Sequence, residues 1–133
     1  MSFVYDALIP VFAVSFKNEQ TLIAPGDVDW NAPSAGSQVV YTAPGLFALP
    51  AGHTYLLTAN IVLLGGESYT TYQWVTSDDV PIGETFTSIN TNEHVHVTTV
   101  VVGGGLQVKL VCPYVNDFVT IGQNSVLNIQ IME

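Results

Sequence analysis

Residues 52–66, GHTYLLTANIVLLGG, form a long apolar run that one glycine opens and two close. Read with a period of two, Tyr55, Leu57, Ala59, Ile61 and Leu63 share one face and are wholly apolar. Thr54, Leu56, Thr58, Asn60, Val62 and Leu64 share the other face and are mixed, as in a half-buried strand. A helix would gather Leu56, Ala59, Asn60 and Leu63 on one stripe, a weaker fit, and the segment carries no capping box. The run is shorter than the roughly 18 apolar residues that a membrane helix needs, and the closing Gly-Gly pair suits a turn or bulge. The stretch is predicted to be the centre of a sheet.

The flanking sequence agrees. IPVFAVSF, SQVVYTA, a short strand within PGLFALPAGH, SYTTYQWVT, ETFTSI, HVHVTTVVV, LQVKLVC and SVLNIQIM read as further strands, separated by Gly, Pro, Asn and Asp turns. Helix-forming composition is nearly absent. Nine or ten short strands in one chain of 133 residues predict a single all-β domain, residues 1–133, built as an antiparallel two-sheet sandwich. The long irregular connection IAPGDVDWNAPSAG suits a crossing over the end of a jelly roll. An immunoglobulin-type sandwich is the competing architecture.

Charge is sparse and one-sided. Only 10% of residues are charged, against roughly 25% in an ordinary soluble domain. Eleven are acidic, the two cations are Lys17 and Lys109, there is no arginine, and the net charge is -9. No basic footprint exists for phosphate backbones, which excludes nucleic-acid binding. Low charge beside 48% apolar content predicts that another copy of the chain covers part of the surface. The single cysteine, Cys112, lies within LQVKLVC and reads as a small buried hydrophobe. The first twenty residues lack a basic n-region and carry Asp6 and Pro10, so no leader and no membrane insertion are expected.

Four stretches together resemble the C1q/tumour-necrosis-factor-like superfamily. GLFALPAGHTYLLTANIVL is similar to that family's G-x-F-x-x-P-x-x-G-x-Y segment through Gly45, Phe47, Pro50, Gly52 and Tyr55. TTYQWVTSDDVPIGE resembles the strand, turn and strand that follow, and VHVTTVVVGGGLQVKLV the next hairpin, with Gly104 and Gly105 in the turn and the usual Asp missing. SVLNIQIM resembles the terminal strand without its aromatics. The resemblance spans residues 38–132 and implies a ten-stranded jelly roll assembled as a homotrimer around a three-fold axis. A jelly roll without leader or stalk points to a virion component: a capsid decoration of phage, a fibre head or a spike module. It would be made in the host cytoplasm, displayed on the virion surface, and partnered by other virion proteins and a glycan or host receptor. The alternative is a carbohydrate- or protein-binding β-sandwich module outside a virus.

Three groups of residues are candidates for chemistry. His94 and His96 stand two apart on a strand, so both imidazoles share a face about 6.5–7 Å apart. With Glu84 or Glu93 they form a candidate transition-metal site; otherwise they line a polar face or a subunit contact. Asp27 with Asp29, and Asp78 with Asp79, are loop oxygens suited to calcium or simply turn formers. Trp30, Tyr69 and Tyr72 are candidate ligand-binding aromatics, with Trp30 expected to be the exposed one and Trp74 to lie in the core. No G-x-S-x-G elbow, phosphate loop or H-E-x-x-H motif is present, so the chain is read as non-enzymatic and without cofactor.

Overall fold

The computed structural model describes residues 13–33, 40–66, 69–88, 94–104 and 106–132. Twelve strands run through them: β1 (Ala13–Phe16), β2 (Gln20–Leu22), β3 (Gly26–Asp27), β4 (Val40–Ala43), β5 (Leu46–Leu49), β6 (Thr54–Gly66), β7 (Thr70–Thr76), β8 (Phe86–Ser88), β9 (His94–Val102), β10 (Leu106–Cys112), β11 (Val119–Ile121) and β12 (Val126–Ile131). Every pairing is antiparallel, in two sheets. The architecture is the jelly-roll sandwich, not the immunoglobulin-type one. Residues 9–12 and 37–39 of the first two expected strands, and Glu93 and Gly105, lie outside the described residues.

β6 is the spine of the first sheet. Its nine residues 54–62 pair with β9 along one edge, and its other edge carries β12 against residues 55–60 and β11 against residues 63–66. β11 and β12 are thus one strand broken at residues 122–125. There the Ser125 hydroxyl accepts the Val62 N–H (2.9 Å) and the Gly122 N–H donates to the Val62 carbonyl (2.7 Å), so the break leaves no orphaned ladder group on Val62. β1 and β2 continue the same broken line beyond β12 and β11. The second sheet runs β4-β5-β10-β7-β8, with β3 also on β10.

The period-two reading of β6 holds. Tyr55, Leu57, Ala59 and Ile61 are fully buried between the sheets and face Phe47, Leu49, Tyr72, Trp74, Val108 and Leu110 from the other layer. The stretch from Gly45 to Tyr55, which reads G-x-F-x-x-P-x-G-x-x-Y in this chain, has a physical reason. Gly45 and Gly52 both take φ above +80°, which only glycine adopts freely, and the Tyr55 hydroxyl donates to the Pro50 carbonyl at 2.6 Å, tying the turn to the spine. Among the described residues β9 pairs along one edge alone, and an open edge is a template for aggregation. Trp74 closes it from the opposite sheet by donating its indole N–H to the Val97 carbonyl (2.9 Å), and Thr99 donates its hydroxyl to the Ile82 carbonyl.

Candidate functional site

The outward face of the β1-β12-β6-β9 layer is the first feature with functional content. Alternation places Thr54, Leu56, Thr58, Asn60 and Val62 of β6 beside Val102, Val100, Thr98, His96 and His94 of β9, and Val126, Asn128 and Gln130 of β12 on their other side. No Asp, Glu or Lys stands anywhere on these rows, although the chain carries eleven acids. Val100 and Val102 are 51% and 71% exposed. Both imidazoles lie here, exposed, while Val95 and Val97 between and after them are buried. Among the described residues no group of three or more His, Cys, Asp or Glu could hold a metal within one chain, so Glu84 does not complete the His94–His96 pair.

The outward face of the other layer is different in kind. The two acidic loops, far apart in sequence, converge there on one cation. Lys109 on β10 lies 3.2 Å from Asp27 on β3 and 3.1 Å from Asp79 in the β7–β8 turn. Burial pulls the Lys109 pKa down, but the hydrogen bonds and charges of Asp79 and Asp27 outweigh it and leave the ammonium above its usual range. The protein's own lysine thus takes the place that a calcium reading gives to a metal. Asp27, Asp79, Val75, Val111, Gln73 and Pro113 contribute to the lining of a concavity of about 320 Å³ beside it.

The candidate aromatics separate. Trp30 is not exposed: it is 1% accessible and part of the core. Residues 26–28 of the connection that carries it lie along β10 and do not cross over the end of the sandwich. Gly26 and Asp27 pair with Cys112 and Val111, and the Val28 N–H donates to the Leu110 carbonyl (2.9 Å), so Val28 and Trp30 alternate inward while Asp29 stays outside. Tyr72 is also fully buried, near Ser88 at 3.2 Å between hydroxyls. Neither ring is available to a ligand. Tyr69 is 44% exposed and packs on Tyr114, 48% exposed, with ring centroids 5.3 Å apart. Tyr114 was not legible as a partner from sequence, because it arrives from the β10–β11 loop through a cross-strand hydrogen bond from the Thr71 N–H to its carbonyl (3.0 Å).

Cys112 is buried as expected, and burial pushes its thiol up to about 12, against a weak opposing pull from the Lys17 ammonium. A thiol held protonated is no nucleophile. Lys17 itself is buried, its pKa lowered by desolvation and partly restored by Asp29, and it donates to the Asn18 carbonyl at 2.7 Å. Among the described residues no helix is long and apolar enough to cross a membrane.

No protein-family model matches the sequence, and no curated protein matches it. Solved structures do match in fold. An Eiger TNF from S. frugiperda superposes with a TM-score of 0.65 at 11% identity, covering 93% of this chain and 94% of that one. Murine APRIL gives 0.56 at 12% identity over 89% and 98%, and pika GITRL gives 0.50 at 11% over 83% and 95%. At such identities the fold is what is shared: the chain is a jelly roll of the tumour-necrosis-factor/C1q type. The virion reading is overturned by the same comparison. It rests on a jelly roll read without leader or stalk, and the solved jelly rolls named above are insect and mammalian proteins. Capsid decoration, fibre head and spike module, virion partners and a virion-surface location fall with it.

Proposed function

We propose that the protein is a self-associating, protein-binding jelly-roll module, in which copies pack through the outward face of the β1-β12-β6-β9 layer as a homotrimer and the Tyr69–Tyr114 pair contacts a partner protein. The observation that carries the reading is the exclusion of charge from that face. Copies of net charge -9 repel one another, and the repulsion is weakest where they meet through uncharged rows. With β9 nine residues long, the uncharged rows run about 30 Å along it. The three-fold order follows the C1q/tumour-necrosis-factor resemblance. Tyr69 supports the partner contact because its φ of 89° is a conformation that a tyrosine rarely takes, held here by an Asn116 N–H that donates to its carbonyl (3.2 Å).

Sedimentation equilibrium tests the assembly. A monodisperse species of three chains is expected, and Val100→Asp, which places a carboxylate on a half-exposed position without touching the core, should yield folded monomers. A wild-type protein that stays monomeric at high concentration overturns the reading.

A further inference from the structure

We propose that the groove along β7 and β10 on the opposite layer binds an extended segment of a different protein, seating a Lys or Arg side chain of that segment over Val75 and Val111 between Asp27 and Asp79. The inference rests on the reading of the chain as a protein-binding module and names the chemistry of what is bound.

The register shows how the groove is built. Lys109 stands opposite Val75 and Val111 opposite Gln73 on the two central strands, and Asp27 stands opposite Val111 on the other side. Gln73, Val75, Lys109 and Val111 therefore face outward in adjacent rows, the reverse of Trp74 and Leu110, which face the core. The 25–27 segment forms one wall and Asp79 stands on the other, where the chain that follows is held by a hydrogen bond from the Gln73 side-chain amide to the Gly83 carbonyl (2.9 Å). Val75 and Val111 form the apolar part of the floor, which suits the methylene stem of a long basic side chain.

Charge decides the occupant. One ammonium faces two carboxylates, so the cluster keeps one uncompensated negative charge, with Asp27 and Asp79 51% and 73% exposed. An incoming guanidinium or ammonium would complete the set with charge-assisted hydrogen bonds. A second copy of this chain has no free Lys or Arg side chain to supply it. The sequence has no arginine, Lys17 is buried, and Lys109 is already in the cluster. Asp79 is held for the role at φ 65°, in the left-handed region, with its N–H donating to the Thr76 carbonyl (2.9 Å). Beyond Gln73, on the same outward row, the Thr71 hydroxyl is more than nine-tenths buried and has no hydrogen-bond partner. Thr71 is bonded through its backbone to Tyr114, so the row leads from the carboxylates to the exposed tyrosine pair. The hydroxyl is covered by the protein itself, and a peptide laid along the row would bring a side chain to the tyrosines.

The test uses the whole chain, isotope-labelled, titrated with the peptide acetyl-Val-Ala-Arg-Ala-Val-amide and with the same peptide carrying citrulline, which keeps the shape and removes the charge. Saturable shifts of the Gln73, Val75, Lys109 and Val111 amides are expected, with the citrulline peptide about tenfold weaker. Asp27→Asn and Asp79→Asn should each weaken the arginine peptide by about the same factor, and asparagine tolerates the left-handed backbone at position 79. Equal binding of the two peptides, shifts confined to other surfaces, or no shift at millimolar peptide overturns the proposal. Repeating the titration on Val100→Asp, altered on the other layer, separates a failure of the groove from a failure of assembly.

Discussion

Replacing Cys112 by alanine should flatten the alkaline side of the protein's stability curve. The thiol is buried between the layers, and its pKa rises from 9.0 to about 12 on folding, chiefly through desolvation of the thiolate. A raised acid pKa means that the unfolded chain loses its proton first. The stability is therefore fully present below pH 9 and is lost progressively as pH climbs toward 12. At pH 10 the folded thiol is still protonated, and the loss is set by ionisation of the unfolded one, a drop of about 1.4 kcal/mol between pH 8 and pH 10 from this group alone. Urea denaturation of the wild type and of Cys112→Ala at both pH values, under reducing conditions, measures it. The alanine protein starts lower because a buried sulfur is gone, by about 1–2 kcal/mol, but this deficit is the same at both pH values. Other alkaline groups that do not interact with the thiol, including the raised Tyr55 hydroxyl and Lys109 ammonium, are common to both proteins and cancel in the difference, and the Lys17 ammonium feels the thiol's charge only once the folded thiol ionises, above this range. The gap between wild type and variant should therefore narrow by about 1.4 kcal/mol from pH 8 to pH 10. Parallel loss in the two proteins would mean that the thiol is not shielded from water, and with it the packing of β10 against the core would be wrong.

Gly45→Ala should cost about 3 kcal/mol or more, read as a fall in melting temperature, because the new Cβ would meet the Val28 carbonyl oxygen at 2.6 Å in a backbone held at φ 81°. The two buried indoles should differ when replaced by phenylalanine. Trp74→Phe strips the Val97 carbonyl of its partner, whereas Trp30→Phe removes an N–H that has none, so the first should be the more destabilising by about 1–2 kcal/mol in denaturant titrations. Equal losses would show that the Trp74 contact contributes nothing to closing the β9 edge.

The two outward faces divide the work of the molecule. One is free of charge and suits like copies; the other concentrates what charge the protein has around Lys109 and suits a basic stranger. Because they lie on opposite layers of one sandwich, self-association leaves the groove open, and an assembly of several copies would present several grooves at once. Avidity from such multiplicity strengthens a weak single contact without any new interaction.

Sequence alone determined the elements whose residues alternate long enough to show a period. β9 and β10 fall where the patterns HVHVTTVVV and LQVKLVC place them, β6 buries its apolar face, and Gly45, Phe47, Pro50, Gly52 and Tyr55 give the turn that docks on it. It could not show β2, β3 or β11, because two or three residues carry no readable period and their strand character comes from the neighbour they pair with. That is why Trp30 looked like a loop residue: one pairing of Gly26 and Asp27 with β10 turns its segment inward, and no local signal encodes a contact made more than eighty residues away. The same pairing brings Asp27 to Lys109, and the β7–β8 turn brings Asp79, so the charged groove and the Tyr69–Tyr114 pair exist only in the folded chain. Local alternation is written in adjacent residues; which loops meet is decided by the register of strands distant in sequence.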